Sequence, residues 1–130
     1  MPIKSIWLEQ GTCWEFSGIV TSGDIKQAHE SFYSDSRSDR ARYRIVDTTG
    51  VTRSDIKDAD IVKYAACDYA ASKSIKILKV ALVAGTDQLE DHARRFVEVS
   101  ESLGNDWEIR KFHKLDDAKK WCLSDGRIDA

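Results

Sequence analysis

The stretch Ile77-Leu78-Lys79-Val80-Ala81-Leu82-Val83-Ala84 decides the fold. It is nearly continuous apolar and ends at Gly85-Thr86-Asp87. A run of that length and character reads as a strand covered on both faces, the situation of a parallel sheet between helices. The residues after it fit that reading. Thr86 or Asp87 suits a helix N-cap, and Leu89, Ala93, Phe96, Val97, Ser100 and Leu103 give the helix a buried stripe until Gly104-Asn105 stops it. Trp107, Ile109 and Phe112 then form a last strand. A closing helix opens at Asp116 or the residue before it, with Leu115, Ala118, Trp121 and Cys122 facing inward.

The same alternation extends backwards from Ile77. A helix is expected over about 56–72, with Ile61, Val62, Ala65, Ala66 and Tyr69 on one face. Before it, Tyr43 to Val46 reads as a short strand closed by the polar turn Asp47-Thr48-Thr49-Gly50. Ser34 to Arg42 reads as a solvated helix end and loop. The preceding helix begins at Thr21-Ser22-Gly23-Asp24, a capping-box pattern, and turns Ile25, Ala28, Phe32 and Tyr33 to one side. The first two strands, Ile3 to Leu8 and Thr12 to Ser17, flank Gln10-Gly11 as a hairpin, and Gly18 closes the second. The resulting order is ββαβαβαβα. Right-handed crossovers make the sheet mainly parallel, with one antiparallel strand at the N-terminal end.

Composition agrees. Seven glycines and one proline in 130 residues fall short of the roughly 15 that average usage supplies, so connections are short and helices long. Gly11, Gly18, Gly50, Gly85 and Gly104 are expected at junctions between elements, with Gly126 in the tail. The length predicts a single domain over residues 1–130. A net charge of −2, without a basic stripe, argues against nucleic-acid binding. No apolar run approaches the ~20 residues of a membrane span. The start MPIKSIWLEQG has no apolar signal region, and Cys13, Cys67 and Cys122 form no disulfide or zinc spacing. The expectation is a cytoplasmic protein with reduced thiols.

Several catalytic signatures are missing. GxxxxGK[ST], G-x-G-x-x-G and G-x-S-x-G do not occur, and nothing in the sequence implies a cofactor. A receiver-type phosphoacceptor needs an acidic pair after its first strand, where this chain has Leu8-Glu9-Gln10. His29 and His92 lie mid-helix among charged residues and read as surface positions. Asp116-Asp117 reads as a helix start, not a metal site. The four tryptophans, Trp7, Trp14, Trp107 and Trp121, read as packing residues, with Trp7 and Trp14 forming a cluster on the hairpin. Ligands of open α/β sheets bind outside the carboxyl ends of strands. There the chain offers one carboxylate and four hydroxyls, Asp47, Thr48, Thr49, Thr52 and Ser54, followed by Asp55; Thr86 and His113 stand at the rim.

Four segments carry a family resemblance: FSGIVTSGDI (Phe16 to Ile25), RIVDTTG (Arg44 to Gly50), KVALVAG (Lys79 to Gly85) and FHKLDDAKKWCL (Phe112 to Leu123). Together, and in the order of elements, they resemble the SpoIIAA-like family. These are small bacterial proteins related to STAS domains, the anti-sigma-factor antagonists, and are sometimes grouped with SEC14-type lipid-binding domains. The resemblance implies a mixed sheet flanked by helices and a non-enzymatic regulatory role through a protein partner, a kinase or other regulator. In STAS antagonists a Ser or Thr of a D-S-S-G-like motif is phosphorylated and controls docking. Asp47-Thr48-Thr49-Gly50 is similar to that motif by letters, and Ser54-Asp55-Ile56 by position. The alternative is a small-ligand or lipid-binding module, in which Ala65, Ala66, Ala70 and Ala71 leave room for a small apolar ligand beside the sheet. A homodimer through an edge strand is a further expectation.

Overall fold

The structure, a computed structural model, describes residues 2–75 and 78–124. The expected strand start at Ile77 and the tail glycine Gly126 lie outside the described residues.

Five strands form one sheet in the order β1-β2-β3-β4-β5: Ile3–Trp7, Gly11–Val20, Tyr43–Ser54, Lys79–Val83 and Glu108–Phe112. β1 runs antiparallel to β2, and the remaining neighbours are parallel. The crossover helices are α1 (Ser22–Ser34), α2 (Asp58–Ala71) and α3 (Asp87–Leu103), and α4 (Leu115–Leu123) follows β5. A 3-10 turn, Ser36–Arg40, stands where a solvated loop was expected, and it buries Ser38.

Because each strand lies next to its predecessor, crossovers of one hand place α1, α2 and α3 on the same face. The core divides accordingly. Trp14, Phe16, Val80, Val46, Leu82 and Ile109 alternate onto the face under α1–α3, while Cys13, Tyr43, Ile45, Ala81 and Val83 meet Ala118 and Cys122 of α4 on the other. Val80, Ala81 and Val83 are fully enclosed, as the continuous apolar run requires. Lys79 Nζ reaches past the strand end to donate to the carbonyls of Trp121 at 3.0 Å and Ser124 at 2.8 Å, satisfying the C-terminus of α4.

Helix starts follow the local signals. Thr21 and Asp24 form the capping box of α1, and Thr86 accepts from the Leu89 amide to cap α3. The inward face of α2 differs from the one expected. Ile61, Ala65 and Asp68 are buried, whereas Val62 and Ala66 are exposed and Tyr69 is half-buried. On α3, Val99 is buried and Leu103 is exposed. An apolar residue at the margin of a helical stripe faces solvent once neighbouring elements fix the rotation of the helix.

The largest departure lies in β2 and β3. Both continue well past the ends expected for them and pair with each other, with Ser17 opposite Gly50, Gly18 opposite Val51 and Val20 opposite Ser54. β4 stops at Val83, opposite Asp47. The last residues of β2 and β3 therefore project beyond β4 as a two-stranded parallel ribbon. Gly18 and Gly50, expected to end strands, are inside them. Gly18 sits at a register shift with φ +68, a backbone shape that glycine adopts freely. At Gly50 a Cβ would lie 2.8 Å from the Phe16 carbonyl, so only glycine allows the strands to approach there.

Candidate functional site

The carboxyl ends of the parallel strands and the first turns of α1–α3 meet over a cavity of about 100 Å3. Its walls are mainly apolar, among them Phe16, Ile25, Val46, Ile56, Leu82 and Phe96. Two hydroxyl residues in the wall are engaged elsewhere: Thr48 Oγ1 donates to the Val83 carbonyl at 2.6 Å, and Tyr64 Oη to the Ser22 carbonyl at 2.9 Å. His29, Arg44 and His92 supply its remaining polar lining. Beside it, α1 and α2 stand apart over an open groove of about 770 Å3, lined in part by Lys26, Tyr33, Tyr64, Ala70 and Ala71.

Beneath both lies a buried charged network. Arg44 projects from β3 under the helices, 1% exposed, and Asp68 reaches down from α2. Arg44 Nη2 and Nη1 donate to Asp68 at 2.6 and 3.4 Å, and Tyr33 Oη donates to the same carboxylate. The guanidinium lies 4.6 Å from the Trp14 ring, 5.2 Å from Phe32 and 5.9 Å from Trp107. Its delocalised charge is thus held by aromatic faces as well as by one carboxylate. Burial works to raise the Asp68 pKa, but the adjacent Arg44 charge, supported by His29, overrides it and keeps the carboxyl well below the usual carboxylate range. Burial and the Asp68 charge together push the Tyr33 hydroxyl well above the usual phenol range.

The residues expected to form the site are distributed along the ribbon and two helix starts. Asp47 is buried and accepts from the amide and hydroxyl of Thr49, the latter at 2.7 Å. Thr48 faces the cavity. Thr52 is exposed. Ser54 is buried, and its Oγ accepts from the Ile56 amide at 3.3 Å. Asp55 is exposed and pairs with Arg53 at 3.2 Å. Thr86 caps α3. His113 is exposed and lies 3.2 Å from Glu90 Oε2. The polar turn expected over Asp47 to Gly50, and the hydroxyl-rich loop running on to Ser54, are strand, because β2 continues alongside and satisfies the backbone.

Two corrections concern histidines. His29 is buried, donating Nδ1–H to the Ile25 carbonyl at 3.1 Å, with its ring stacked on Tyr64 and edge-on to Trp14. His92 is half-buried and lines the cavity, and burial lowers its pKa against the opposing charges of Asp91 and Asp58. Their charged sequence neighbours lie on other sides of the helices. His29 and Asp68 fall at helical spacing with buried residues, His29 with Ile25 and Phe32, and Asp68 with Ile61 and Ala65. That spacing was the available signal. The tryptophans divide: Trp14 and Trp107 are buried, while Trp7 and Trp121 are half-buried. Trp7 stacks on Phe32 at 5.8 Å and carries Arg37 over its ring at 4.6 Å.

The three cysteines are free. Cys67 is exposed on α2, whereas burial pushes the thiols of Cys13 and Cys122 up to about 11 and about 12. A disulfide reagent added to the native protein at pH 8 is expected to titrate one thiol rapidly, and the other two only after denaturant is added, because the thiolate is the reacting species. Loss of the fast phase in Cys67→Ser assigns it.

Among the described residues, no group of three or more His, Cys, Asp or Glu is arranged to hold a metal ion, and no helix is long and apolar enough to cross a membrane. The fold and its strand order define an α/β protein of the SpoIIAA-like fold. The chain is similar in structure to an uncharacterised protein of the DUF3478 family, with a SpoIIAA-like fold, from Shewanella loihica PV-4, known from its crystal structure. It superposes with a TM-score of 0.57 at 17% identity, covering 93% of this chain and 92% of that one. No protein-family model matches the sequence, and no curated protein does.

Proposed function

We propose that this protein is a non-enzymatic regulatory module that acts by docking to a protein partner, with the β2–β3 ribbon as the docking element. The observation that carries the reading is the ribbon itself. It extends past the end of β4 with Val20, Val51 and Ser54 turned into the protein, and on its outer side presents Ile19 at 50% exposure opposite Arg53, with the exposed Thr52 one residue from Arg53. An exposed aliphatic residue next to a modifiable hydroxyl suits a contact that a phosphate switches, since phosphorylation adds about −1.5 to −2 charges. Thr52 is open to a kinase as it stands. Ser54 is buried and caps the Ile56 amide, so a phosphate there would require that end of the ribbon to open and would then lie near the N-terminus of α2. The SpoIIAA-like fold supports this reading.

Mass spectrometry of the protein recovered from its own cells is expected to find phosphate on Thr52 or Ser54. Quantitative affinity capture should show the same partner lost with Ile19→Asp and changed in yield with Thr52→Glu. Absence of phosphate in growth, starvation and stress, together with identical capture by Ile19→Asp and the unmodified chain, would overturn the proposal.

A second reading, small-ligand binding, draws on the open space between helices and sheet. Ala70 and Ala71 line the groove between α1 and α2, where small side chains leave room beside Tyr33 and Tyr64. Co-purifying compounds detected by native mass spectrometry would favour it.

A further inference from the structure

The cavity under the helices contains unmet hydrogen-bonding demand. Arg44 Nε, His29 Nε2 and His92 Nδ1 are buried without hydrogen-bond partners, and all three side chains line this cavity. Arg44 commits its terminal nitrogens to Asp68, so Nε–H is the donor left over. His29 commits Nδ1–H to Ile25, and its Nε2 lies 3.5 Å from Asp68 Oδ1, too far for a good hydrogen bond. Native proteins rarely leave several such atoms unpaired around one space.

Size and lining restrict what meets that demand. The cavity, about 100 Å3, is smaller than the roughly 150 Å3 that accommodates benzene, which leaves room for about four or five non-hydrogen atoms. Water alone fits poorly. The volume corresponds to about three waters at roughly 30 Å3 each, and each needs two to four polar partners. The Arg44 Nε–H is one unmet donor and serves a single accepting atom, while Phe16, Ile56, Leu82 and Phe96 surround the rest. The occupant is therefore polar at one end only. It is also uncharged, since Asp68 already balances Arg44 and burial disfavours the charged form of His92. An added anion would be a buried charge without a partner.

We infer that the cavity binds a small neutral organic compound with an accepting oxygen, such as a short ketone, ester or amide, whose oxygen takes the Arg44 Nε–H and whose carbon chain fills the apolar wall. This rests on the small-ligand reading above and moves its site from the groove to the smaller, more apolar cavity beside it. Ligands of this size bind no tighter than about micromolar.

The test is a 1H–15N NMR titration of the full chain with 2-butanone, cyclopentane and butyrate, following Arg44 Nε–H and the amides of cavity residues. Saturable shifts with 2-butanone, at least about fivefold tighter than with cyclopentane, are expected. They should disappear in Ala93→Leu, which fills the cavity from α3 while its spectrum reports an intact fold. Equal binding of cyclopentane overturns the polar anchor, and tighter binding of butyrate overturns the neutral ligand; either leaves the small-ligand reading intact. Shifts that persist in folded Ala93→Leu overturn the site. No saturable shift anywhere in the protein with any of the three probes overturns both the inference and the small-ligand reading.

Discussion

Replacing Asp68 with alanine is expected to cost about 3–5 kcal/mol of folding stability, read as a lower denaturation midpoint in urea. The cost comes from what is left behind. Arg44 is enclosed by Trp14, Phe32 and Trp107, and without Asp68 its charge has no counterion and no access to water. Domains of this size have about 5–15 kcal/mol in total, so the variant lies close to unfolding. Replacing both partners, as Arg44→Met with Asp68→Leu, should recover most of the loss, because an apolar pair of similar volume needs no counterion. A double variant no more stable than Asp68→Ala would show that the site requires charge for another reason.

The same pair sets the acid limit. The Asp68 carboxyl titrates lower in the folded protein than in the unfolded chain. Its contribution is therefore complete above about pH 4, the ordinary carboxylate value, and declines as pH falls below that. The alkaline limit has the opposite sign. Tyr33, Cys13 and Cys122 are all raised when folded, so what they contribute is complete below about pH 9 and is lost as pH rises. Stability measured against pH should give a plateau between these limits, and Asp68→Asn should flatten its acid edge.

Trp14→Ala is expected to cost about 3–5 kcal/mol by removing a large core side chain. Trp14 is 2% exposed on the central face of β2, edge-on to Phe32 at 6.0 Å and covered by the Arg44 guanidinium. Its removal opens a cavity and also strips one aromatic face from a buried cation. Trp7→Ala removes a side chain of equal size from a half-buried position at the sheet edge, and should cost clearly less. Equal losses in a denaturant series would contradict the assignment of Trp14 to the central core.

Element order was legible because its signals are local. The run ending at Ala84, the capping box at Thr21 and Asp24, and the cap at Thr86 each draw on residues a few positions apart, and the structure has elements at all three. The end of β3 was not legible in the same way. Asp47-Thr48-Thr49-Gly50 has turn composition, and it is strand because Glu15 and Ser17, more than thirty residues away, pair with its two ends, Asp47 and Gly50, and β2 runs on beside Val51 to Ser54. Gly18 and Gly50 read as breakers for the same reason, although here they permit the bulge and the close approach that let pairing continue.

The candidate site shows the same division. Thr52 and Ser54 were expected after a strand and lie inside β3, whereas Thr86 was legible as the cap of α3. Arg44 and His92 were not, since charged and titratable residues ordinarily face water, and for His29 and Asp68 the one signal was their helical spacing with apolar residues. A mainly parallel α/β sheet with one antiparallel strand followed from local sequence alone, because apolar periodicity and caps act over a few residues. Only the tertiary structure decided which polar side chains went inside. Arg44 can be buried only where β3 brings it beneath Asp68 of α2 and between Trp14 of β2 and Trp107, and those four residues share no local pattern.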